Sequence, residues 1–444
     1  MLFFCYGHKP HTEIFYYLRT MNPIKVFNPE HDMALANGDR HFIAPRNIRE
    51  MARDLAPLLQ VIEGNELLVW GWDHAIKSQL LRMDIAAEAL PTDAALTALR
   101  KCSERQSAHN VLRAFHADHP DGSYTGESII AHSLDEVADY ATRHGHIILK
   151  DPLSSSGKGL RHVNLNEEGF PPPPSSKSSE QSEGGMSSSA LNKVANWSSA
   201  LIRRHGYLTA EPYYNKVQDF AMEFYFRDGE CLFIGYSLFN TNHHGRYESN
   251  LLMEDERIEA LLSRYIPLAA LHEVRDWVIS HSDHIIPPEW DTAKHPLYFG
   301  IDMMIVETID ERLQTIDKVR TSERDVSLHT NSPASAAELK TMFTSELKIQ
   351  NSEFKIHPCV EINLRLNMGI IAHEVRSKLL SPNTEGTFHV TAFPTEEAAQ
   401  QFYQEHIEQS PTLFQAEKIV SGYYPLTPIH PHTRHHAYIM CREM

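Results

Sequence analysis

Glu361-Ile362-Asn363-Leu364-Arg365 is the stretch that decides the fold of this chain. On a β-strand, residues at i, i+2 and i+4 share one face, so Glu361, Asn363 and Arg365 are predicted to point into one pocket. A carboxylate and an amide oxygen are ligands that Mg²⁺ takes from proteins, and a guanidinium suits a phosphoryl oxygen. The alternative is an ordinary half-exposed strand whose apolar residues pack inward. The stretch gains weight from the segments that precede it.

The first of these segments is an apolar run, His146 to Lys150, followed by a loop of small residues from Ser154 to Gly159. Small residues let backbone N–H groups approach an anion closely, which predicts a flap over phosphates with Lys150 as a phosphate ligand. The loop is not a Walker A motif, because the chain after it reads as a strand rather than a helix. The alternative for Lys150 is a solvated residue at a strand edge.

The segment from Tyr207 to Tyr214 reads as an apolar strand that runs into a connection broken by Pro212. An adenine ring needs backbone donors and acceptors at such an interruption. Glu211 could accept a hydrogen bond from the exocyclic amine or from a ribose, and Tyr213 offers main-chain groups. A strand followed by a simple turn explains the same residues. Another strand is predicted from Asp219 onward.

One carboxylate interrupts the apolar run from Leu297 to Val306. An acid in such a strand is costly unless it is paired or bound to a metal. Asp302 is therefore a candidate metal ligand.

The order of these segments resembles the ATP-grasp superfamily of carboxylate–amine ligases, over about residues 100 to 370. The resemblance implies an ATP-grasp fold, in the α/β (α+β) class, with an N-terminal α/β domain. It also implies ATP and Mg²⁺ as cofactors, with Mn²⁺ as an alternative metal. The implied metal ligands are Asp302, Glu361 and Asn363, and the implied catalytic residues are Lys150 at the α-phosphate and Arg365 at an acyl phosphate. The implied nucleotide-binding residues are Arg105, Lys150, Ser156, Gly157, Gly159, Glu211, Tyr213 and Asp219.

The chain departs from the family pattern at three points. Arg105 stands where relatives usually have lysine, the flap has two glycines where many have more, and Asp302 replaces the more frequent glutamate. The leading hypothesis is an ATP- and Mg-dependent ligase that joins a carboxylate to an amine through an acyl phosphate. A small-molecule kinase of the same fold and a non-catalytic nucleotide-binding protein are the alternatives.

Composition narrows the class of partner. The chain has 444 residues, 42% of them hydrophobic, which is enough for about two or three domains. The formal charge of −17 argues against nucleic acid or an anionic membrane as a main partner. The partners that the resemblance implies are small-molecule carboxylates and amines, an amino acid or peptide among them. Five cysteines without CxxC spacing favour a reducing compartment, here the cytoplasm. The oligomeric state is left open.

The sequence also predicts a domain organisation. Residues 1–20 are a candidate disordered extension and the last segment is expected to be a helix with a His-rich, solvated tail. The expected units are 21–100 (N-terminal α/β domain), 101–200 (subdomain with the flap and a Pro/Ser-rich insertion at 169–189), 201–392 (second subdomain with an insertion at 320–357) and 393–444 (helix and tail).

Two polar stretches are candidate substrate-binding regions. Asn28, Glu30, His31 and Asp32 follow the first predicted strand, where binding residues often lie, although helix capping by Asn28 or Asp32 explains them almost as well. Arg246 and Tyr247 follow a later strand, and Arg246 could clamp a substrate carboxylate. A β-turn at Gly245 is the alternative there.

Overall fold

The computed structural model describes residues 23–64, 67–120, 123–154, 159–165, 188–241, 247–309 and 352–443. Within these ranges helices and strands alternate irregularly and the pairings are mostly antiparallel, so the predicted α+β class is confirmed. The predicted extension at 1–20 lies outside the described residues. The insertion at 169–189 lies outside them up to 187, and residues 188 and 189 already belong to a helix.

The N-terminal part forms a small α/β unit around two parallel strands, in which Ile24 lies opposite Leu67. The helical stretch from Arg46 to Val61 is divided into an α-helix and a 3-10 turn, because Pro57 has no N–H to continue the α-helical ladder. The elements are β1 (Ile24–Val26), α1 (His31–Asn37), α2 (Arg46–Leu55), a 3-10 turn (Ala56–Val61), β2 (Leu67–Val69), α3 (His74–Arg82), a 3-10 turn (Ala87–Ala89), α4 (Asp93–Cys102) and α5 (Arg105–Asp118).

The middle of the chain forms a four-stranded antiparallel sheet covered by two helices. Its elements are β3 (Ile129–Ala131), α6 (Leu134–His144), β4 (His146–Lys150), β5 (Leu160–Asn164), α7 (Ser188–His205) and β6 (Leu208–Pro212), and the strand order is β3-β6-β4-β5. Ile147 and Leu149 pack with Val137 and Leu201 from the helices. The predicted flap hairpin is present, since Lys150 lies opposite Leu160.

The rest of the chain is built on a nine-stranded antiparallel sheet. Its elements are β7 (Lys216–Arg227), β8 (Glu230–Thr241), β9 (Tyr247–Leu252), α8 (Asp255–Leu262), α9 (Leu268–Ser280), a 3-10 turn (Ser282–His284), β10 (Leu297–Ile309), β11 (Ser352–Asn363), α10 (Met368–Leu379), β12 (Thr384–Ala392), α11 (Glu396–Gln409), β13 (Leu413–Gln415), β14 (Lys418–Pro425) and β15 (His435–Glu443). The strand order is β11-β10-β7-β8-β9-β12-β15-β14-β13.

Alternation along β7 and β10 separates the core of this sheet from its functional face. Phe220, Phe224 and Phe299 are fully buried and pack in a cluster with side chains of α5 and α9. The residues between them therefore point to the opposite face, on which α10 lies. That face carries Asp302 and Glu361.

Two expectations about the chain's organisation are corrected. The helix expected in the C-terminal segment is present as α11, but the residues after it are not a solvated tail, because they form β13 to β15 and His436 is fully buried against Tyr423 and Thr427. Of the insertion expected at 320–357, residues 320–351 lie outside the described residues, and Ser352 to His357 belong to β11 and pair with β10.

None of the helices that the structure describes combines the length and the apolar character needed to cross a membrane.

Candidate active site

The centre of the site is a pair of acids on neighbouring strands. Asp302 of β10 lies directly opposite Glu361 of β11, and one row further on Asn363 lies opposite Gly300. Side chains two residues apart share a face, so Asp302, Glu361 and Asn363 project on the same side of the sheet. The Asn363 amide hydrogen-bonds to Asp302. The three predicted metal ligands are thus brought together.

Burial and the nearby Glu361 carboxylate together raise the pKa of Asp302 to about 7, while Arg365 and Asn363 oppose the shift. Two carboxylates this close repel each other when both are ionised. A divalent cation would relieve that repulsion, and the oxygen donors suit Mg²⁺. Across the described ranges, no group of three or more His, Cys, Asp or Glu side chains could hold a metal ion. The donor set therefore depends on the Asn363 amide in addition to the two acids.

Arg365 does not lie on the strand as predicted. β11 ends at Asn363, and the chain bends away because the N–H of Leu366 donates to the carbonyl of Trp70 at 2.9 Å. Nε and Nη2 of Arg365 each donate to an Asp32 carboxylate oxygen at 2.9 Å. Burial alone would raise the pKa of Asp32, but Arg365 outweighs it and the pKa is lowered. Arg365 therefore lies beside the acids and also contacts the N-terminal unit through Asp32.

Arg105 is the first residue of α5 and joins three parts of the site. Its Nη2 lies 3.2 Å from a Glu361 carboxylate oxygen, and its Nε donates to the carbonyl of Asp151 at 3.2 Å. Its backbone N–H donates to the carbonyl of Pro152 at 3.0 Å. An arginine at this position therefore contacts both the metal-ligand strand and the chain leading into the flap.

Lys150 and Glu211 form a buried ion pair between β4 and β6. They are 4% and 8% exposed, so neither is the solvated edge residue of the alternative interpretation. Buried ion pairs offset much of their mutual attraction by desolvation, and they are weak evidence for stability alone. The pair thus provides one buried donor and one buried acceptor beside the hairpin of β4 and β5.

The flap closes tightly where it is described. Gly159 accepts a hydrogen bond from the N–H of Asp151 at 2.9 Å. A Cβ on Gly159 would lie 2.1 Å from the Ser154 hydroxyl oxygen, so only glycine fits. Ser156 and Gly157 lie outside the described residues.

Tyr213 lies in the connection between β6 and β7, where the sequence predicted main-chain contacts to adenine. The Tyr213 N–H donates to the carbonyl of His146 at 2.9 Å, and its half-exposed ring stacks on His146 with ring centres 4.1 Å apart. Asp219 lies opposite Met304 and its charge contributes to the raised pKa of Asp302. Asp219 thus belongs to the same acidic face.

Of the four candidate substrate residues near α1, Asp32 bonds to Arg365 in the site, and His31 lines the same cleft. Asn28 is buried and exchanges two hydrogen bonds with the backbone of Gly71, at 2.8 and 3.1 Å. His31 is buried 3.1 Å from Asp73. Asn28 and Asp32 do not cap α1, because the N-cap position is Glu30, which makes no side-chain cap hydrogen bond. Burial raises the pKa of Glu30 to about 7.

Of the second candidate pair, Tyr247 is the described residue, and it does not line the cleft of Glu361 and Arg365. Arg246 lies outside the described residues, and Tyr247 packs against the apolar cluster around Phe388 and Ile439. Burial raises the pKa of the Tyr247 hydroxyl.

Glu223 is a buried acid that sequence reasoning missed. It lies opposite Gly300, on the face shared with Asp302, and is 1% exposed. Burial raises its pKa to about 8, and a carboxylate oxygen accepts from the Asn367 amide at 2.7 Å. A Cβ on Gly369 would approach the other oxygen to 2.1 Å. A Cβ on Gly300 or Gly369 would collide with the Glu223 carboxylate, so these two glycines were the sequence signal that could have revealed it.

No family model matches the sequence, and no curated protein matches it. Solved structures are similar in fold. N5-carboxyaminoimidazole synthetase from Staphylococcus aureus, complexed with ADP, is 10% identical, over 78% of this chain and 68% of that one, with a TM-score of 0.39. The enzyme of that name from Aspergillus clavatus, with ADP and 5-aminoimidazole ribonucleotide, is 10% identical over 84% and 76%, with a TM-score of 0.41.

Biotin carboxylase from Campylobacter jejuni is 11% identical over 90% of this chain and 75% of that one, with a TM-score of 0.42. These likenesses concern the arrangement of helices and strands alone.

Proposed function

We propose that this protein is an ATP- and Mg-dependent ligase of the ATP-grasp type, which joins a small-molecule carboxylate to an amine through an acyl phosphate. One observation carries the proposal: Asp302 and Glu361 face each other across two strands, next to Asn363, with Arg105 and Arg365 on either side. Paired acids between two guanidinium groups are the environment that a metal-bound polyphosphate needs.

Asp302, Glu361 and Asn363 are the residues that would hold Mg²⁺, or Mn²⁺ in its place. The metal would supply charge neutralisation for the phosphates. Arg105 already contacts Glu361, so it is positioned to exchange that carboxylate for a phosphate oxygen when the nucleotide binds.

Nucleotide binding is assigned to the second group of residues. Lys150 would bind a phosphate, while Glu211 and the Tyr213 main chain would bind adenosine groups between the two sheets. The flap residues Ser156, Gly157 and Gly159 would cover the phosphates, and Asp219 would add an acceptor beside them.

The chemistry follows in two balanced steps. A carboxylate oxygen of the substrate attacks the γ-phosphorus, the bond to ADP breaks, and an acyl phosphate forms. The amine then attacks the acyl carbon, phosphate leaves, and the amine gives one proton to solvent. Arg365, held by Asp32, keeps a fixed positive charge beside the transferred group, so little reorganisation is needed as charge develops.

Calorimetric titration of Mg-ATP tests the nucleotide site. The wild type is expected to bind in a Mg-dependent manner, and Glu361→Gln is expected to lose that dependence. Glu353→Gln is the matched control, because Glu353 lies on the same strand and is exposed. If the wild-type protein fails to bind nucleotide at millimolar concentration, the proposal is overturned.

A screen for ADP release then separates a ligase from a kinase of the same fold. Pooled carboxylates are supplied with and without pooled amines. Release that requires an amine supports the ligase, whereas release with a hydroxyl substrate and no amine identifies a kinase.

A further inference from the structure

His31, the first residue of α1, lines the cleft of Glu361 and Arg365. It is 1% exposed, so its neighbours set the orientation of its ring. A Cβ on Gly71 would lie 2.3 Å from Cγ of His31 and 2.6 Å from both Cδ2 and Nδ1. That end of the ring is therefore packed against Gly71. The opposite edge, which carries Nε2, is the part of the ring that is left to face the cleft.

Asp73 holds the other ring nitrogen. Its Oδ2 lies 3.1 Å from Nδ1 of His31, and its Oδ1 accepts the N–H of Ile76 at 2.8 Å as the N-cap of α3. The amide nitrogen of Asn28 lies 3.5 Å from the same Oδ2. A carboxylate fixed in this way accepts the Nδ1 proton, which leaves the lone pair of the neutral ring on Nε2. No described residue hydrogen-bonds to Nε2.

The charged groups around His31 are mostly acidic. Burial raises the pKa of Glu30 to about 7, and a charge on His31 opposes that shift. For Asp32, burial raises the pKa but is outweighed by Arg365, and His31 acts in the same direction as Arg365. A proton taken up at Nε2 would thus leave a positive ring close to the carboxylates of Asp32 and Asp73, which stabilise it.

The two steps of the proposed reaction differ in their need for a base. A substrate carboxylate is already ionised when it attacks the γ-phosphorus, so the first step has no proton to remove. The amine must lose a proton as it becomes an amide. A group that accepts this proton must therefore lie in the cleft of Arg365, where the acyl phosphate forms under the proposed function.

We propose that His31 is the general base of the amine step. The amine nitrogen attacks the acyl carbon, and the bond from that carbon to the phosphate oxygen breaks, with its electron pair leaving on phosphate. The proton of the amine passes to Nε2 of His31 and from there to solvent. Asp73 is a positioning residue, because it acts through Nδ1. This role rests on the proposed function, which supplies the acyl phosphate.

NMR of the wild-type protein with isotope-labelled histidine nitrogens tests the geometry without any substrate. The signals of His31 are identified by their loss in His31→Asn. At pH 8 the ring is expected to be neutral, with its proton on Nδ1 and none on Nε2. A proton on Nε2, or a ring protonated on both nitrogens, overturns the proposal.

Turnover separates a base from a structural histidine. His31→Asn keeps an amide nitrogen that can bond to Asp73 and lacks Nε2, while His31→Gln fills more of the space of the ring. Both are expected to bind Mg-ATP like wild type in calorimetry and to lower amine-dependent ADP release about 10²-fold at saturating amine. With hydroxylamine as the nucleophile, which attacks acyl phosphates without a base, both should stay within a few-fold of wild type.

His272→Asn is the matched control, because His272 pairs with Glu259 at 2.7 Å and does not line the cleft of Arg365. It should resemble wild type with both nucleophiles. Equal losses with amine and hydroxylamine in the His31 variants, or no loss with amine, overturn the base and leave the ligase standing. A wild type that releases no ADP with any pooled carboxylate overturns the ligase and the base together.

Discussion

Two clefts meet at Arg365 and differ in volume and in the exposure of their charges. The first cleft is lined by Glu361, Asn363, Arg105 and Arg365 and has a free volume of about 30 Å³. Its arginines are paired, Arg365 with Asp32 and Arg105 with Glu361. The second cleft is lined by β2, the turn after it and the chain from Lys294 into β10, and has a free volume of about 380 Å³. Its cations Arg227 and Lys294 are paired as well, with Asp228 and Asp291, but are largely exposed.

Under the proposed function the first cleft is the site of the chemistry. Its charged side chains hold one another in place, so few groups would need to reorganise when phosphates bind. In the second cleft the charged side chains lie at the surface beside their aspartate partners. Substitutions in the first cleft should therefore affect turnover more than those in the second.

The largest effect is expected from Glu361→Gln. Removing one of the two facing carboxylates while keeping its shape should lower Mg-dependent turnover about 10³-fold, the scale of removing one preorganised electrostatic group. The measurement is ADP release at saturating Mg²⁺ for this variant and for Glu353→Gln. Activity within a few-fold of wild type would remove the first cleft from the chemistry.

Arg365→Lys is expected to lower turnover about 10²-fold with the charge retained, because lysine cannot reproduce the two parallel hydrogen bonds to Asp32. Arg376→Lys is the control. Arg376 lies on α10 and pairs with Glu254, and neither Asp302 nor Glu361 is its partner. If both lysine variants turn over equally, the fork geometry of Arg365 has no part in the reaction.

Glu223→Gln should change how stability depends on pH. The folded-state pKa of Glu223, about 8, exceeds the ordinary value of 4.5, so the folded protein holds this proton where the unfolded chain has lost it. Wild-type stability should therefore fall as pH rises from about 4.5 to 8, and the variant should escape part of that loss. Each pKa unit corresponds to about 1.4 kcal/mol, which gives a relative gain on the order of a few kcal/mol at pH 8.

Chemical denaturation at pH 5 and at pH 8 measures this difference. Glu230→Gln, at an exposed position, is the control and should show the wild-type pH dependence. Parallel pH profiles for the two variants would contradict a proton held on Glu223.

The smallest effect is expected from Gly71→Ala, in the wall that separates the two clefts. Gly71 lines the second cleft and His31 lines the first, and a Cβ on Gly71 would lie 2.3 Å from the His31 ring. Overpacking of this kind should destabilise the fold by about 1–3 kcal/mol. Thermal unfolding measures it for Gly71→Ala in the wild type and in a His31→Ala background, where the ring is absent. Equal shifts in the two backgrounds would show that crowding at His31 is not the cause.

The strands that frame the site could be predicted from sequence because their alternation is strong. The run from Leu297 to Val306 lies within β10, and the segment from His146 to Lys150 is β4. The facing of Asp302 and Glu361 follows from the pairing of β10 with β11, which no single segment encodes. The order of motifs supplied that pairing through family resemblance.

Other parts of the site depend on tertiary contacts. Arg365 was expected on the strand, but the contact of Leu366 with Trp70 takes the chain off the sheet before it. Glu223 has the sequence signature of an outward-facing strand residue, and it is buried because α10 covers that face. The His-rich C-terminus was expected to be solvated because composition reports polarity and not pairing partners.

The ion pair between Asp32 and Arg365 joins positions 333 residues apart. During synthesis from the N-terminus, Asp32 emerges long before the arginine that neutralises it, so the site is completed only after β11 has been made. Ending the chain ahead of residue 365 would leave Asp32 without its partner, and removing the N-terminal unit would leave Arg365 enclosed with an unmatched charge. Because Asp32 and Arg365 lie so far apart in sequence, the site is assembled late in synthesis, when most of the chain has been made.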